Sequence, residues 1–335
     1  MKILVISTSR ADWNPLGMVA KRLQKEHEVT IGGADMATFT SIIEDGFRNR
    51  FVIHDMQSDF IGYDLAICLG DRHELVPIVF ELNYAGIPIA HLSGGDITTG
   101  SKDDCFRHAI TKLSHLHFPT HPDSARRIIQ MGEPPSRVHM VGSPAVDRIL
   151  ATELPEVGIF SSWFALLNWQ SESLGSMDGL YQILAAVDTV PTVAVGCNDD
   201  PQSDEINAIL KTWCLAGPNR HFHQSLPTAE YLAAMKACRF MIGNSSSMFY
   251  EAPVFGTPCV YVGTRQDGRV LPNCVTDTIT FHADVAEAVR AQTYFGRFSP
   301  QFHYGDGHAS DKIAAVINAI HKPSDLLRKE WHYVG

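Results

Sequence analysis

An alternation of short apolar runs with amphipathic stretches, a break in that rhythm near residues 143–158, and its resumption beyond the break predict an α/β protein of two domains. Strands separated by helical patterns of this length imply βαβ units and parallel sheets, with ligands expected at the carboxyl ends of the strands. A chain of 335 residues is long enough to bury two cores of ordinary size.

The first strand is expected over residues 2–7, because the apolar run Ile3-Leu4-Val5-Ile6 ends at polar Ser7-Thr8-Ser9-Arg10. Four apolar residues are too few for a secretory leader. Residues 14–26 read as a helix, with Leu16, Val19, Ala20 and Leu23 on one face. There follow a strand at 27–31, a helix at 37–45, a strand at 65–69 and a helix at 73–85. The half continues with a strand at 87–91, a helix at 103–114, a strand at 116–118, a helix at 122–131 and a strand at 137–141. The rule about strand ends then selects the loops Ser7–Asp12, Gly70–Glu74 and His91–Asp104 as functional candidates.

Ser143-Pro144-Ala145-Val146-Asp147 closes this half, and Glu153-Leu154-Pro155-Glu156-Val157-Gly158 has the breaker content of a linker. The second series runs through a strand at 163–167, a helix at 176–187, strands at 192–196 and 220–223 flanking a helix at 203–214, and a helix at 228–237. It ends with a strand at 240–242, a helix at 247–254, a strand at 258–262 and a last helix at about 309–321. The expected division is 1–155, 156–308 and a C-terminal helical segment 309–335 packing back near the hinge. Two such domains normally present their strand ends to each other across a cleft, where a nucleotide-sugar would fit.

Composition narrows the function. With 27 Lys and Arg against 37 Asp and Glu the net charge is −10, which argues against a nucleic-acid partner. No run of 18 apolar residues predicts a membrane span. The seven scattered cysteines form no CxxC pair and read as reduced thiols of a cytoplasmic protein. The 16 histidines, among them His115, His117, His221, His223, His303 and His308, lack ligand spacing, so neither metal nor cofactor is expected.

One stretch points to a ligand. Gly243-Asn244-Ser245-Ser246-Ser247, with Glu251 beyond it, follows the apolar run Phe240-Met241-Ile242 and precedes a helical pattern. Hydroxyls and free backbone N–H groups would then converge on a volume suited to a phosphate, or the serines could simply cap a helix.

Motifs in both halves and in matching order resemble the UDP-N-acetylglucosamine 2-epimerase family, and within it the hydrolysing branch that serves sialic-acid-type sugar synthesis. They are Ser9-Arg10-Ala11-Asp12, Leu69-Gly70-Asp71-Arg72-His73-Glu74, Ala90-His91-Leu92-Ser93-Gly94-Gly95-Asp96 and the run from Arg107 to Phe118. Val141-Gly142-Ser143-Pro144, Ile242 to Ser247, Arg265-Gln266-Asp267-Gly268-Arg269 and Tyr304 to Ser310 complete the set. The resemblance implies two Rossmann-like doubly wound domains facing across a cleft, a GT-B-like fold. It also implies elimination of the nucleoside diphosphate to a 2-acetamidoglucal, followed by rehydration to a free N-acetylmannosamine-type sugar. On it, Asp71, Asp96 and Asp103 are the acid/base carboxylates, with Asp104 a rival for the third place. Arg10, Asn244, Ser245, Ser246, Glu251, Arg265 and Arg269 are the nucleotide and diphosphate contacts, Glu251 on the ribose. Arg72, Glu74, Arg107, His108 and Gln170 are further sugar or phosphate contacts. Asp71, Asp103 and Asp104 could instead cap helices, and Arg107 and His108 could line a solvated helix face.

The sequence departs from the family at three places. Asp96 stands where a glutamate is usual after the paired glycines, Asn168-Trp169-Gln170-Ser171 replaces an aromatic-His-Pro segment, and residues 150–200 are short, with Asn198-Asp199-Asp200 in a loop. Gln170 can hydrogen-bond but cannot titrate. A GT-B glycosyltransferase or a nucleotide-sugar-binding homologue without turnover are the alternatives, and a homodimer or homotetramer is the expected assembly. Uridine and guanosine remain equally open as the nucleoside.

Overall fold

The structure is a computed structural model that describes residues 1–33, 42–43, 45–54, 59–156, 163–171, 177–197, 202–276 and 282–334. The side chains of residues 10, 11, 282, 283 and 295 lie outside the description. The chain divides into two compact units: Met1–Ile97, Lys102–Ala151 and Tyr304–Gly335 form one, Thr98–Ser101 and Thr152–His303 the other.

The first unit carries a parallel sheet of β1 (Lys2–Ser7), β2 (Glu28–Gly33), β3 (Arg50–Val52), β4 (Leu65–Leu69), β5 (Ile89–Leu92) and β6 (Leu116–Phe118), in the order β3-β2-β1-β4-β5-β6. Its helices include α1 (Arg10–Leu23), α2 (Leu75–Tyr84), α3 (Asp103–Leu113), α4 (Pro122–Gln130) and α5 (Pro144–Ala151). Alternation along β1 explains why both faces are covered. Ile3 and Val5 pack with Leu16 and Val19 of α1, while Leu4 and Ile6 pack with Ile78 and Val79 of α2. Strand order reverses between β1 and β4, so the loops after these strands open at a topological switch point.

The second unit repeats the plan with β7 (Ala165–Asn168), β8 (Thr192–Val195), β9 (Arg220–His223), β10 (Phe240–Gly243) and β11 (Cys259–Tyr261), in the order β11-β10-β7-β8-β9. Its helices are α6 (Asp178–Ala186), α7 (Ser203–Leu215), α8 (Thr228–Ala237), α9 (Ser247–Tyr250), α10 (Ala252–Phe255) and α11 (His282–Phe295). The reversal here lies between β7 and β10. The short segment Thr98–Ser101 belongs to this unit: Thr99 N–H donates to the Asp267 carbonyl at 3.0 Å. A Cβ at Gly100 would lie 2.0 Å from the Thr264 carbonyl oxygen, which leaves glycine as the residue that fits.

Several expectations are revised. The strand expected at 137–141 is a 3-10 turn at Pro135–Arg137 and a single bridge from Val138 to His117. Pro134 and Pro135 offer no N–H there. The stretch Ser143–Asp147, expected to close the first half, enters α5 through Pro144 at a first-turn position. The helix expected at 247–254 is broken into α9 and α10, because Pro253 cannot donate back to Phe249. β3 and α11 were absent from the sequence reading, and the helix expected at 37–45 falls mostly outside the described residues. The last helix, α12 (Ala309–Asn318), belongs to the first unit. Buried Asp147 of α5 caps it, accepting from the N–H groups of Ala309 at 3.0 Å and Ser310 at 2.6 Å. Among the described residues, no helix is long and apolar enough to cross a membrane. Six of the seven cysteines are buried, Cys105 being exposed.

Candidate functional site

In the first unit, Arg107 of α3 is the hub. Its side chain is 2% exposed, and its guanidinium pairs with the carboxylate of Asp71, with Asp104 Oδ1 at 2.8 Å and with the Asp96 carbonyl at 2.9 Å. A buried guanidinium is tolerated only when paired in this way. The loops after β4 and β5 are thereby tied to the first turn of α3. His91 fixes the same corner, its Nε2–H donating to the Gly70 carbonyl at 2.8 Å while Nδ1 faces Thr111 Oγ1 at 3.2 Å. Burial pushes the imidazole down to about 3, so it stays neutral and serves as a brace.

The three expected carboxylates therefore differ. Asp71 sits on the guanidinium. Asp96 is buried, and its Oδ1 accepts from Ser124 Oγ at 2.6 Å and Thr120 Oγ1 at 3.3 Å, so that oxygen is engaged by α4 and the turn before it. The Arg107 partner on α3 is Asp104, whereas Asp103 opens the helix half-buried. His108 Nε2 stands 3.6 Å from the other Asp104 oxygen. Arg72 Nη2 pairs with Glu74 Oε1 at 3.0 Å; burial alone would raise the Glu74 carboxyl, but this bond and the nearby charge hold it below its usual range.

Asp12 was quoted in a motif but not singled out as a site residue. It accepts from Thr8 Oγ1 at 2.8 Å, and its carboxyl is pushed up to about 6 by burial, partly offset by the Thr8 and Ser9 hydroxyls and by Arg72. Asp71 adds to the rise, so Asp12 shares the electrostatic field of that corner. Ser93 was also overlooked; with φ +61 it is one of two described non-glycine residues in the left-handed region, at the end of β5. Arg10 begins α1, and its side chain lies outside the described set.

The second unit's site is built around an uncharged clamp. Asn244, at the end of β10, clamps the backbone of Gln170 beyond β7: its Oδ1 accepts from Gln170 N at 2.7 Å and its Nδ2 donates to the Gln170 carbonyl at 2.8 Å. Gly243 allows this approach, since a Cβ there would lie 1.9 Å from the Asn168 carbonyl oxygen, and φ is +145. Gln266 Nε2 donates to the Asn244 carbonyl at 3.2 Å and its Oε1 accepts from Arg269 Nε at 2.7 Å. Arg269 also donates to Tyr250 Oη at 2.6 Å with its guanidinium carbon 4.9 Å from that ring's centre. Arg265 has no hydrogen bond or ion pair to a described residue. Ser245 is buried and Ser246 half-buried at the start of α9.

Glu251 lies between α9 and α10 with Oε2 buried and without a partner among the described residues. Burial pushes its carboxyl up to about 7, with Arg269 and a backbone bond offsetting part of the rise. Once ionised, an oxygen so placed is suited to hydroxyl donors of a ligand. Gln170 is buried beyond β7. Its Nε2 donates to Asn168 Oδ1 at 2.6 Å and its Oε1 faces Cys197 Sγ at 3.6 Å, so the amide supports the strand ends.

Two doubly wound parallel sheets in one chain, each with polar loops at its switch point, define an α/β protein of the GT-B-like class. The chain belongs to the UDP-N-acetylglucosamine 2-epimerase family, whose model matches residues 58–318. It is similar to a hydrolysing GDP/UDP-N,N'-diacetylbacillosamine 2-epimerase of Campylobacter jejuni, at 26% identity over 83% of this chain and 84% of that one. It is also similar to the polysialic acid biosynthesis protein P7 of Escherichia coli, at 28% identity over 82% of each chain. The crystal structure of the Neisseria meningitidis UDP-GlcNAc 2-epimerase bound to UDP-GlcNAc shares the fold, with a TM-score of 0.78 at 16% identity, covering 96% of this chain and 100% of that one.

Proposed function

We propose that the chain is a hydrolysing 2-epimerase that converts a nucleotide 2-acetamido sugar to the free C2-inverted sugar and a nucleoside diphosphate. The observation that carries the reading is the Arg107 hub, which holds Asp71 and Asp104 at one guanidinium where the strand ends put the catalytic loops. A base takes the C2 proton as the C1–O bond to the diphosphate breaks, giving a 2-acetamidoglucal; water then adds, hydroxyl to C1 and proton to C2 on the opposite face. We assign proton transfer to Asp71 and the Asp103–Asp104 pair. Asp96 is assigned to the same acid/base set, held in place by Ser124 and Thr120 on its Oδ1 and by Arg107 on its carbonyl. The second unit is assigned the nucleoside diphosphate, with Ser245, Ser246, Arg265 and Arg269 on phosphate oxygens and Glu251 on the ribose hydroxyls. The names of the relatives support UDP-N-acetylglucosamine and N,N'-diacetylbacillosamine nucleotides as the first substrates to try.

The test is turnover in deuterated water followed by NMR. Free C2-inverted sugar carrying deuterium at C2 is the expected product. UDP release that requires an added sugar acceptor would make the protein a glycosyltransferase, and binding without turnover a non-catalytic homologue. Asp71→Asn keeps the shape and removes the base, so it should lower kcat by at least about 100-fold, the usual contribution of a general base, while UDP affinity stays within about twofold. An undiminished rate removes Asp71 from the mechanism.

A further inference from the structure

We infer that Tyr231 is a positioning residue that makes Ser245 a proton donor toward an oxygen of the bound diphosphate, through a one-way line of hydrogen bonds. The inference rests on the nucleotide reading of the second unit and adds to it residues that no motif supplied.

The line starts at Gln170, whose Nε2 donates to Asn168 Oδ1 at 2.6 Å at the end of β7. Asn168 then presents its Nδ2 to Tyr231 Oη of α8 at 2.9 Å. An amide nitrogen can only donate, so the phenol oxygen is the acceptor there; either hydroxyl could donate across the 2.9 Å to Ser247 Oγ, and we assign the phenol's proton to that bond because Ser247 is its other described partner. Ser247 in turn gives its proton to Ser245 Oγ at 3.0 Å, and its backbone N–H points at the same oxygen at 3.3 Å. Ser245 thus accepts twice, and its proton finds no acceptor among the described residues. A phosphate oxygen, which can only accept, completes the set.

Reversing every bond in the line would leave Ser245 offering a lone pair, which a phosphate would repel. The orientation of Asn168 is what selects the useful polarity, and Gln170 holds that orientation. Gln170, the residue in place of a family imidazole, therefore serves the diphosphate at a distance. Tyr231 itself is kept protonated, because burial pushes the phenol above its ordinary range. It can orient a proton but has none to exchange at working pH.

The experiment measures UDP and uridine binding by calorimetry for the parent protein, Tyr231→Phe, Ser247→Ala, Ser245→Ala and the Tyr231→Phe/Ser245→Ala double variant, each checked by thermal melting. Tyr231→Phe and Ser247→Ala should each weaken UDP by about 5–10-fold, the equivalent of one hydrogen bond, and leave uridine within about twofold. In the Ser245→Ala background, Tyr231→Phe should add less than about twofold, because the residue it serves is gone. Parental UDP affinity in Tyr231→Phe, or its full loss repeated in the Ser245→Ala background, would overturn the relay and leave the nucleotide site standing. GDP is measured on the parent as well, and a parent protein that binds neither UDP nor GDP overturns the nucleotide reading, and the relay with it.

Discussion

Two glutamates with buried carboxylate oxygens, one in each unit, face opposite electrostatic fates. Glu133, beyond α4 in the first unit, has a fully buried side chain that pairs with Lys112, with Lys329 Nζ at 2.8 Å and with His117 Nε2 at 3.1 Å. Burial alone would raise its carboxyl, but these bonds and charges hold it down to about 2. Glu251 in the second unit receives no such cations at its Oε2 and is pushed up to about 7. The first unit finishes its buried charges internally, as the Arg107 hub also does. The same residue type is thus held down in one setting and pushed up in the other, a distinction that residue type alone does not reveal.

The largest effect should come from breaking the finished cluster. Glu133→Gln leaves two lysines crowded without their carboxylate, and the depression from 4.5 to about 2 corresponds to about 3 kcal/mol of stability at neutral pH. For a depressed carboxylate this stabilisation is complete above the ordinary value and disappears as pH falls toward 2. Urea unfolding at pH 7 should therefore show the full loss, and the gap between variant and parent should narrow steadily below pH 4.5. A gap independent of pH would mean that packing, rather than charge, sets the role of Glu133. Lys329 also donates to the Lys112 and Ser114 carbonyls, each at 2.7 Å, so the same cluster anchors the C-terminal segment.

Glu133 was not foreseen, and the reason is instructive. Periodicity in Ile3 to Ile6 or in Leu16, Val19 and Leu23 reports a local face, so the strands, the crossovers and the two-sheet architecture were legible. The motifs also marked Asp71, Asp96 and Arg107 as neighbours of a strand-end site. What they could not reveal is which atom faces which. That Asp96 gives its carbonyl to Arg107 and its carboxylate to Ser124 depends on the path of α4, 28 residues away in sequence. Tyr231 meets Asn168 at a separation of 63 residues, and no spacing rule connects them. Asp103 and Asp104 differ by a rotation of about 100° about α3, and periodicity alone does not reveal that Arg107, three residues after Asp104, pairs with Asp104.

Glu251→Gln tests the other side of the contrast and should act with the opposite sign. Its raised carboxyl costs nothing while protonated, and the cost of ionising it in a buried place grows from pH 4.5 to about 7. The variant should thus match the parent near pH 4 and exceed it by about 1–3 kcal/mol at pH 8. Ligand binding should respond inversely. In the parent, uridine affinity should rise with pH through about 7 as the ribose acceptor ionises, and in Glu251→Gln it should be flat. A variant less stable than the parent at pH 8 would show that Glu251 is held by internal partners after all.

Arg265 sharpens the contrast with the smallest effect on folding. It is half-buried in the turn after β11 and touches no described acceptor, whereas Arg269 in the same turn is committed to Gln266 and Tyr250. A cation without internal partners contributes little to stability, so Arg265→Ala should unfold within about 0.5 kcal/mol of the parent. Its value should appear only with a charged ligand present. UDP binding should weaken by about 1.5–3 kcal/mol, as expected for a hydrogen bond to a charged group, and uridine binding should be unchanged. Arg269→Ala should lose stability and affinity together, because the same side chain braces Gln266 and stacks on Tyr250. If instead Arg265→Ala destabilises the fold as much as Arg269→Ala does, both arginines are structural and the phosphate contacts must come from the serines alone.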